Sequence, residues 1–384
     1  MSRGTGTAVT PARAHSSGPV RQAVGSVIDR LGRGLGGRQP VAVLYFASSA
    51  YDPEDIVTPM ADAFPDAAVI GCSTAGEFTD AVTGTGGISA VALPSGILTG
   101  ALAALGDLDG DVADGTWAAV SELESCLRVS LRDLDPACHL GFVLIDGLSR
   151  AEEEVNEILG NAAPVLDIVG GSAGDDLAFD RTWVAVGHQI SYRGMALLLC
   201  QTAVPFHVVK TCSFVPTGRV LRITDADVAT RTVRSFDGRP AADVYAEAVG
   251  VTRDRLDDSV WMSHPLGLMI NGEPWIRSPQ TVTPEGHIVF YAQILPDMQV
   301  EVMRATDMVA DTRAAVHDAR AALGEQASGA VLFNCILRRL EMDAKQIGRP
   351  FLESFDSLPL AGFHTYGESW LGHVNQTLTG VVFG

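Results

Sequence analysis

Two glycines and an acid frame the stretch of this sequence that is best equipped for chemistry. Between Gly71 and Gly76 stand the hydroxyl side chains of Ser73 and Thr74, and Glu77 follows at once. Backbone amides freed by glycine, together with two hydroxyls, can form a small concave polar site. The alternative is a tight turn whose Ser and Thr satisfy only local backbone groups.

The same pattern returns twice farther along the chain. Residues 362–368 (GFHTYGE) repeat glycine, threonine, glycine and glutamate at the same offsets, and residues 169–175 (VGGSAGD) are a looser copy ending in an acid. Each copy follows apolar, strand-like runs, so each predicts one unit of strand, helical crossover, strand and polar turn. We therefore expect an α/β (α+β) fold with mixed sheets, helical crossovers and duplicated strand–helix–strand units, because many adjacent short strands argue against a purely parallel sheet.

The elements that position these turns follow from apolar periodicity and capping residues. Helices are predicted at 19–35, 52–65, 117–131, 151–159, 241–249 and 306–323. Residues 152–154 are all glutamate and open the fourth helix, where an acidic cluster is favourable and most often forms a solvated face. Residues 216–218 (PTG) predict a turn between two strands, and the chain should end on a strand at 377–383.

The three turns, as GCSTAGEF, GGSAGDD and AGFHTYGES, resemble the signature turns of the FIST family of sensory proteins. The resemblance covers nearly all of the chain beyond the first few dozen residues. It implies a FIST N-type domain and a FIST C-type domain, which we place at 19–237 and 238–384, with the boundary at a proline–glycine break. Residues 1–18 are rich in Ser, Thr, Gly, Ala and Pro and are expected to be a disordered tail.

Two further segments, 333–341 (FNCILRRLE) and 373–377 (HVNQT), resemble a stand-alone branch of that family described as haem-containing and nitric-oxide-sensing. This resemblance implies haem as the cofactor and nitric oxide as the signal. A strand would place His373, Asn375 and Thr377 on one face. We therefore expect His373 to be the metal ligand, oriented by Asn375, with His364 as the second choice.

The competing ligand is a small polar metabolite such as an amino acid, to which the polar turns are also suited. The expected ligand-binding residues are Ser73, Thr74, Glu77, His364, Thr365, Glu368 and Asn375. We also expect the first and last turns to meet at the domain interface. Within them, the two threonine hydroxyls should bond the backbone of their own turns while the two glutamates cap nearby amides.

Catalysis is the rival function. Residues 170–174 match the GxSxG nucleophile elbow of serine hydrolases, but Asp175 and Asp176 crowd the turn and no useful helix follows. Two further hypotheses are an enzyme that acts through Glu77 and Glu368 and a scaffold that binds no small molecule. The family resemblance, together with the lack of a convincing catalytic constellation, implies a sensor, not an enzyme, that regulates a separate histidine kinase or diguanylate cyclase.

Composition narrows the partners and the compartment. The net charge of -19 disfavours nucleic acid and anionic membrane surfaces. The sequence has no signal-peptide core and no run long enough to span a membrane, so no membrane insertion is expected. Six scattered cysteines without any CxxC indicate a reduced, cytoplasmic protein.

Overall fold

The computed structural model of the protein describes residues 9–324 and 326–384, and these form three repeated units and one inserted sheet. Elements are numbered in chain order. The first unit contains β1 Ala12–Ser17, α1 Val20–Leu35, β2 Pro40–Ser48, α2 Glu54–Ala63, β3 Ala68–Thr74, β4 Glu77–Thr79, β5 Thr83–Gly84 and β6 Gly87–Pro94. The second contains β7 Leu98–Asp107, α3 Val112–Leu127, β8 His139–Ile145, α4 Glu152–Ala162, β9 Asp167–Ser172, β10 Val184–Val186, β11 Gln189–Ser191 and β12 Gly194–Thr202.

The third unit is interrupted after its first strand, β13 Phe206–Cys212. The interruption contains β14 Phe214–Asp227, β15 Thr232–Phe236, β16 Arg239–Pro240, α5 Ala241–Val249, α6 Asp258–Ser263, β17 Leu266–Ile270, β18 Glu273–Arg277, β19 Pro279–Val282, β20 Ile288–Phe290 and β21 Gln299–Ala305. The unit then resumes with α7 Met308–Ala322, β22 Gly329–Cys335, α8 Ile336–Lys345, α9 Gly348–Glu353, β23 Leu360–Thr365, β24 Glu368–Trp370, β25 His373–Val374 and β26 Thr377–Phe383.

The three units build three six-stranded sheets of identical design. Their strand orders are β1-β6-β2-β3-β10-β11, β7-β12-β8-β9-β24-β25 and β13-β26-β22-β23-β4-β5. In each sheet a parallel pair (β2 with β3, β8 with β9, β22 with β23) is joined by a helical crossover. The last two strands of each sheet are a hairpin, here called the arm, that comes from a different unit. The arms pass cyclically from the first unit to the third, from the third to the second and from the second to the first.

The three sheets face a common apolar core. We call these three sheets, together with the helices that cover them, the body. Phe46, Phe142, Phe333 and Phe363 meet there, with the rings of Phe46 and Phe363 stacked at 4.8 Å. Apolar residues on both faces of the inner strands explain this arrangement, since the outer faces are covered by α1 and α2, by α3 and α4, and by α7 to α9. The inserted sheet, β14 to β21, has its own core against α5 and α6.

The fold class expected from the sequence is confirmed: the protein is mixed α/β with mixed sheets. The terminal strand and the helix opened by Asp52, whose carboxylate accepts from the Glu54 amide, are also confirmed. The division expected at 237/238 falls inside the inserted sheet, between β15 and β16, which pair with each other.

Three local predictions are wrong. Residues 12–17 form β1, paired with β6 and seated by the buried Ala12 and Ala14, rather than part of a disordered tail; residues 1–8 lie outside the described residues. Residues 216–218 form no turn, because β14 continues past them through a bulge. The third helix begins at 112 rather than 117, since Asp111 caps it by accepting from the Asp114 amide.

Candidate functional site

The three signature turns meet at the centre of the body. Each turn donates one backbone N–H to a carbonyl of the next unit, so that three hydrogen bonds close a ring. They are Ala75 N to His364 O (3.0 Å), Tyr366 N to Ser172 O (3.1 Å) and Gly174 N to Ser73 O (3.1 Å). The prediction that the first and last turns approach each other is therefore confirmed, and the middle turn joins them.

In the first turn, threonine and glutamate form a buried clamp. The Thr74 hydroxyl donates to Glu77 Oε1 at 2.5 Å and accepts from the Gly76 amide at 3.3 Å. Glu77 Oε2 accepts from the amide of Gly87, the first residue of β6, at 3.0 Å. The clamp thus fastens the turn to the start of the next long strand, as we expected for both residues.

The third turn repeats the clamp with one difference. The Thr365 hydroxyl donates to Glu368 Oε1 at 2.5 Å, and Glu368 Oε2 accepts from the amide and the hydroxyl of Thr377 at 3.1 and 2.6 Å. Glu368 therefore caps an amide as predicted. The prediction for Thr365 is wrong, because among the described residues its hydroxyl bonds the carboxylate and not the backbone of its turn.

Both clamp carboxyls have raised pKa values. Neither side chain is exposed, and burial raises the pKa of Glu77 to about 8 and that of Glu368 to about 7, although the accepted hydrogen bonds favour ionisation. The Ser73 hydroxyl is likewise buried and accepts from the Trp183 amide at 3.0 Å. The polar groups of these turns are thus engaged inside the protein and stabilise the exchange of arms.

The middle turn has no such clamp. Alanine (Ala173) stands at the threonine position, and Asp175 falls where the other turns have a glycine. The Asp175 carboxylate instead organises residues 175–182 by accepting from three amides, those of Phe179, Asp180 and Arg181 at 2.7–3.0 Å. It also accepts from the hydroxyl of Tyr366. A loop thus replaces the clamp in this unit.

The serine of the GxSxG match lies in this middle turn and does not resemble a nucleophile. Ser172 is fully buried, and its hydroxyl donates to Glu152 Oε1 at 3.3 Å. A serine hydrolase needs its hydroxyl exposed at the top of the sheet. The geometry at Ser172 is therefore that of a structural residue.

Of the two candidate haem ligands, His364 has both ring nitrogens engaged. Its Nδ1 lies 2.9 Å from Asn334 Nδ2, and its Nε2 lies 3.1 Å from the Thr83 hydroxyl. Because the Asn334 amide donates, Nδ1 accepts and Nε2 carries the proton. Burial lowers the pKa of His364 to about 3, so the ring is neutral and joins the third unit to the arm of the first.

His373 is less completely satisfied. The continuous strand expected at 373–377 is wrong, because β25 ends at Val374 and β26 begins at Thr377. His373 Nε2 still lies 3.5 Å from Asn375 Nδ2, but within the described residues neither His373 Nδ1 nor Asn375 Oδ1 has a hydrogen-bond partner. His373 is only 3% exposed, and a Cβ placed on Gly367 would lie 2.0 Å from its ring. Burial lowers the pKa of His373, an effect that the nearby carboxylates of Glu152 and Glu153 oppose.

A cavity of about 240 Å³ opens between the body and the inserted sheet beside these residues. Its lining comes from the second unit, the third turn and the inserted sheet. The residues are Gly147, Leu148, Arg150, Glu152, Phe179, Arg231, Gln280, Phe290, Tyr291 and Tyr366. Because three parts of the chain contribute, a ligand bound there would contact both the body and the inserted sheet.

A buried ion-pair cluster joins the two sides of the cavity. Arg231, from the inserted sheet, donates to Glu152 Oε2 at 2.8 Å and to Glu153 Oε2 at 2.6 Å, both on α4 of the body. Glu152 is 2% exposed, so the expectation of a solvated acidic face is wrong for it. A sequence signal was present: Glu152 lies three residues before Val155 and seven before Leu159, which places it on the apolar stripe of the helix.

The outer wall of the cavity is aromatic. The rings of Phe179 and Tyr366 stack at 5.3 Å, and Phe179 remains 46% exposed. Arg150 is exposed at the rim, where its guanidinium donates to the Ala229 carbonyl at 3.4 Å. The cavity thus offers an available cation, a paired carboxylate and a ring stack to a small ligand.

The residues around His373 do not fit haem in this arrangement. Haem needs an apolar slot and an accessible axial side chain, and small-molecule and cofactor sites usually span about 300–1,000 Å³. The adjacent cavity is smaller and polar, and the His373 ring is enclosed against Gly367. In the described part of the chain there is also no cluster of three or more His, Cys, Asp or Glu side chains placed to hold a metal ion.

A family model described as FIST N domain matches residues 41–239, about half of the chain, and a model described as FIST C domain matches residues 241–370. The chain therefore belongs to the FIST family. FIST domains are sensory domains of signal transduction that bind small ligands and are not catalytic.

One relative extends this comparison to an archaeon. Uncharacterized protein MJ1623 of Methanocaldococcus jannaschii is 24% identical over 298 residues, which cover 68% of this chain and 57% of the relative. The chain thus spans little more than half the length of that protein. Over the described residues, no helix is both long and apolar enough to cross a membrane.

Proposed function

We propose that the protein is a non-catalytic sensor whose ligand binds in the cavity between the body and the inserted sheet. The observation that carries this proposal is the construction of the cavity from three parts of the chain across a buried ion-pair cluster. Binding energy there would favour one placement of the inserted sheet on the body, which is the requirement for a ligand to shift a conformational equilibrium.

The proposed ligand is a small zwitterion such as an amino acid. Arg150 supplies a guanidinium at the rim for a carboxylate, and Glu152, whose carboxylate is paired with Arg231, lines the same space and would accept from an ammonium group. Phe179 and Tyr366 provide an aromatic wall for a side chain. The volume of about 240 Å³ suits a ligand of that size better than a macrocycle.

Ligand binding in the cavity would change the conformation of the loop at residues 175–182. Tyr366 lines the cavity, and its hydroxyl donates to Asp175 and accepts from the Leu177 amide at 2.7 Å. Asp176, Leu177 and Phe179 have positive φ angles of 53°, 69° and 51°. Such backbone is strained for these residues, so a ligand that displaces the Tyr366 ring would change the loop at the surface.

Haem with nitric oxide remains the alternative implied by the resemblance to the nitric-oxide-sensing branch. It requires a rearrangement that opens the space around His373. The absorption spectrum of the purified protein separates the two proposals. A Soret band that is lost in His373→Ala supports haem, and a colourless protein whose Tm rises with one amino acid supports the zwitterion.

The zwitterion proposal is tested by thermal shift and calorimetry with a panel of amino acids. Arg150→Ala should weaken binding about 10- to 100-fold, the range for a lost hydrogen bond to a charged group. Arg349→Ala is the matched control, since Arg349 is exposed on α9 and, among the described residues, its one ion pair is with Glu353 of the same helix. Equal binding by both variants would contradict the proposal.

The output would pass to a separate histidine kinase or diguanylate cyclase, and we place the protein in the cytoplasm. All six cysteines lie in the described part of the chain and none is bonded to another, which supports a reducing compartment. Turnover of any ligand by the purified protein would contradict the non-catalytic proposal.

A further inference from the structure

The repetition of the three sheets makes their outer edges directly comparable. Each sheet ends on one side in the first strand of its unit, namely β1, β7 or β13. Two of these edges carry ionisable residues: Arg13 and His15 on β1, and His207 and Lys210 on β13, where Lys210 pairs with Glu273 of the inserted sheet. The edge strand β7 is longer, at 10 residues, and carries no charge before its last residue, Asp107. Charged side chains are the usual protection of an edge against pairing with another strand, so β7 is the unprotected edge.

The hydrogen-bond register shows which groups of β7 face outward. The Leu108 amide donates to the Arg193 carbonyl, and antiparallel pairs alternate, so Gly106, Ala104 and Leu102 bond to β12. The intervening residues Ala101, Ala103 and Leu105 turn their N–H and C=O groups away from β12. No other strand pairs with β7 within residues 9–324 and 326–384.

The side chains at this edge are apolar and incompletely covered. Ala101, Ala103 and Leu105 pack partly against the common core, and Leu102 packs partly against the layer of α3 and α4. Helix α3, which lies over β7, exposes Trp117 to 43%. A further strand beside β7 would extend both layers and bury the rest of these side chains.

We propose that β7 pairs with β7 of a second copy of this chain. The two strands would run antiparallel about a two-fold axis near Ala103, so that the second sheets of the two copies form one continuous sheet. In a two-fold contact the same surface of each copy meets itself. Charged side chains on the edge would therefore bring like charges together and repel. The uncharged β7 meets that requirement in a protein of net charge -19, and small residues leave room for close approach.

The test is the mass of the full-length protein in solution, by light scattering and sedimentation, for the wild type and Ala103→Pro. Proline removes the central outward N–H but no bond to β12, and such a position is where an edge strand accepts proline. The wild type should be a dimer and Ala103→Pro a monomer with native circular dichroism.

The matched control is Val208→Pro on the edge of the third sheet. Val208 pairs with Val381 on β26, as Ala103 pairs with Leu198 on β12. The two positions are equivalent in the repeat, and this variant should remain a dimer. A dimer that survives Ala103→Pro, or a wild type that is monomeric at the highest attainable concentration, would overturn the proposal.

Hydrogen exchange of the wild type decides the matter even if Ala103→Pro fails to fold. In the dimer the amides of Ala101, Ala103 and Leu105 should exchange slowly, and dilution should accelerate them. Fast exchange at every concentration overturns the proposal. Slow exchange in a monomer also overturns it, because the edge would then be protected without a second copy.

Discussion

Replacing Glu77 by glutamine isolates the energetic cost of the buried clamp. The folded protein raises the pKa of Glu77 to about 8 and that of Glu368 to about 7, from the usual 4.5. A group whose pKa is raised by folding stabilises the fold fully below its unfolded pKa, and this contribution is lost as the pH rises through the folded value. The free energy of unfolding should therefore fall between about pH 4.5 and pH 8, by roughly 3–5 kcal/mol for each clamp.

Glutamine keeps the shape of the side chain and an oxygen that can accept the Thr74 hydroxyl, but it cannot ionise. Glu77→Gln should be less stable than the wild type at pH 5 by about 1–3 kcal/mol, because its amide NH2 group replaces the oxygen that accepts from the Gly87 amide. At pH 9 the order should reverse, because the wild type then carries a buried charge. Urea denaturation followed by circular dichroism at several pH values measures the difference between the two proteins.

The comparison cancels the titration of the many exposed carboxylates that both proteins share. Glu353→Gln is the control, since Glu353 is on the surface and pairs with Arg349; its difference from the wild type should vary little with pH. A difference between Glu77→Gln and the wild type that does not change from pH 5 to pH 9 would refute the reasoning. It would mean that Glu77 ionises in the fold as easily as in the unfolded chain.

Two further substitutions test the geometry of the third turn. Tyr366→Phe removes the hydroxyl that donates a hydrogen bond to Asp175, and it should lower the free energy of unfolding by about 1.5–3 kcal/mol. The local readout is faster proteolysis within residues 175–182. Unchanged proteolysis would contradict this coupling. Gly367→Ala would place a methyl group 2.0 Å from the His373 ring, so it should lower stability by about 1–3 kcal/mol, whereas Ser369→Ala on the same arm should lower it less.

The elements of the fold were largely predictable from local sequence, and their pairing was not. Apolar runs and capping residues locate the paired inner strands and most helices, because these signals lie within one element. The arms give no such signal. Strand β4 has only three residues, and it pairs with the distant strand β23, for example at Thr79 opposite Ala361. Which strand receives a short arm is decided by long-range packing that local patterns do not encode.

The candidate site divides in the same way. The repeated turns were visible as motifs, and the structure brings them together, but their conspicuous hydroxyls and acids are engaged in the clamps. The cavity depends on residues without a motif, above all Arg231, whose approach to Glu152 requires the inserted sheet to be folded against the body. A single sequence carries that information only as the apolar stripe on which Glu152 lies.

The asymmetry of a repeated fold explains why the cavity lies where it does. In the first and third turns a threonine–glutamate clamp closes the space after the turn. The middle unit has Ala173 in place of the threonine, and its chain leaves through residues 175–182, so Tyr366 bonds Asp175 rather than a clamp. The inserted sheet interrupts the third unit and covers the place where the second and third units meet. Loss of one clamp and addition of one sheet therefore coincide at the same junction, which is where the proposed ligand site lies.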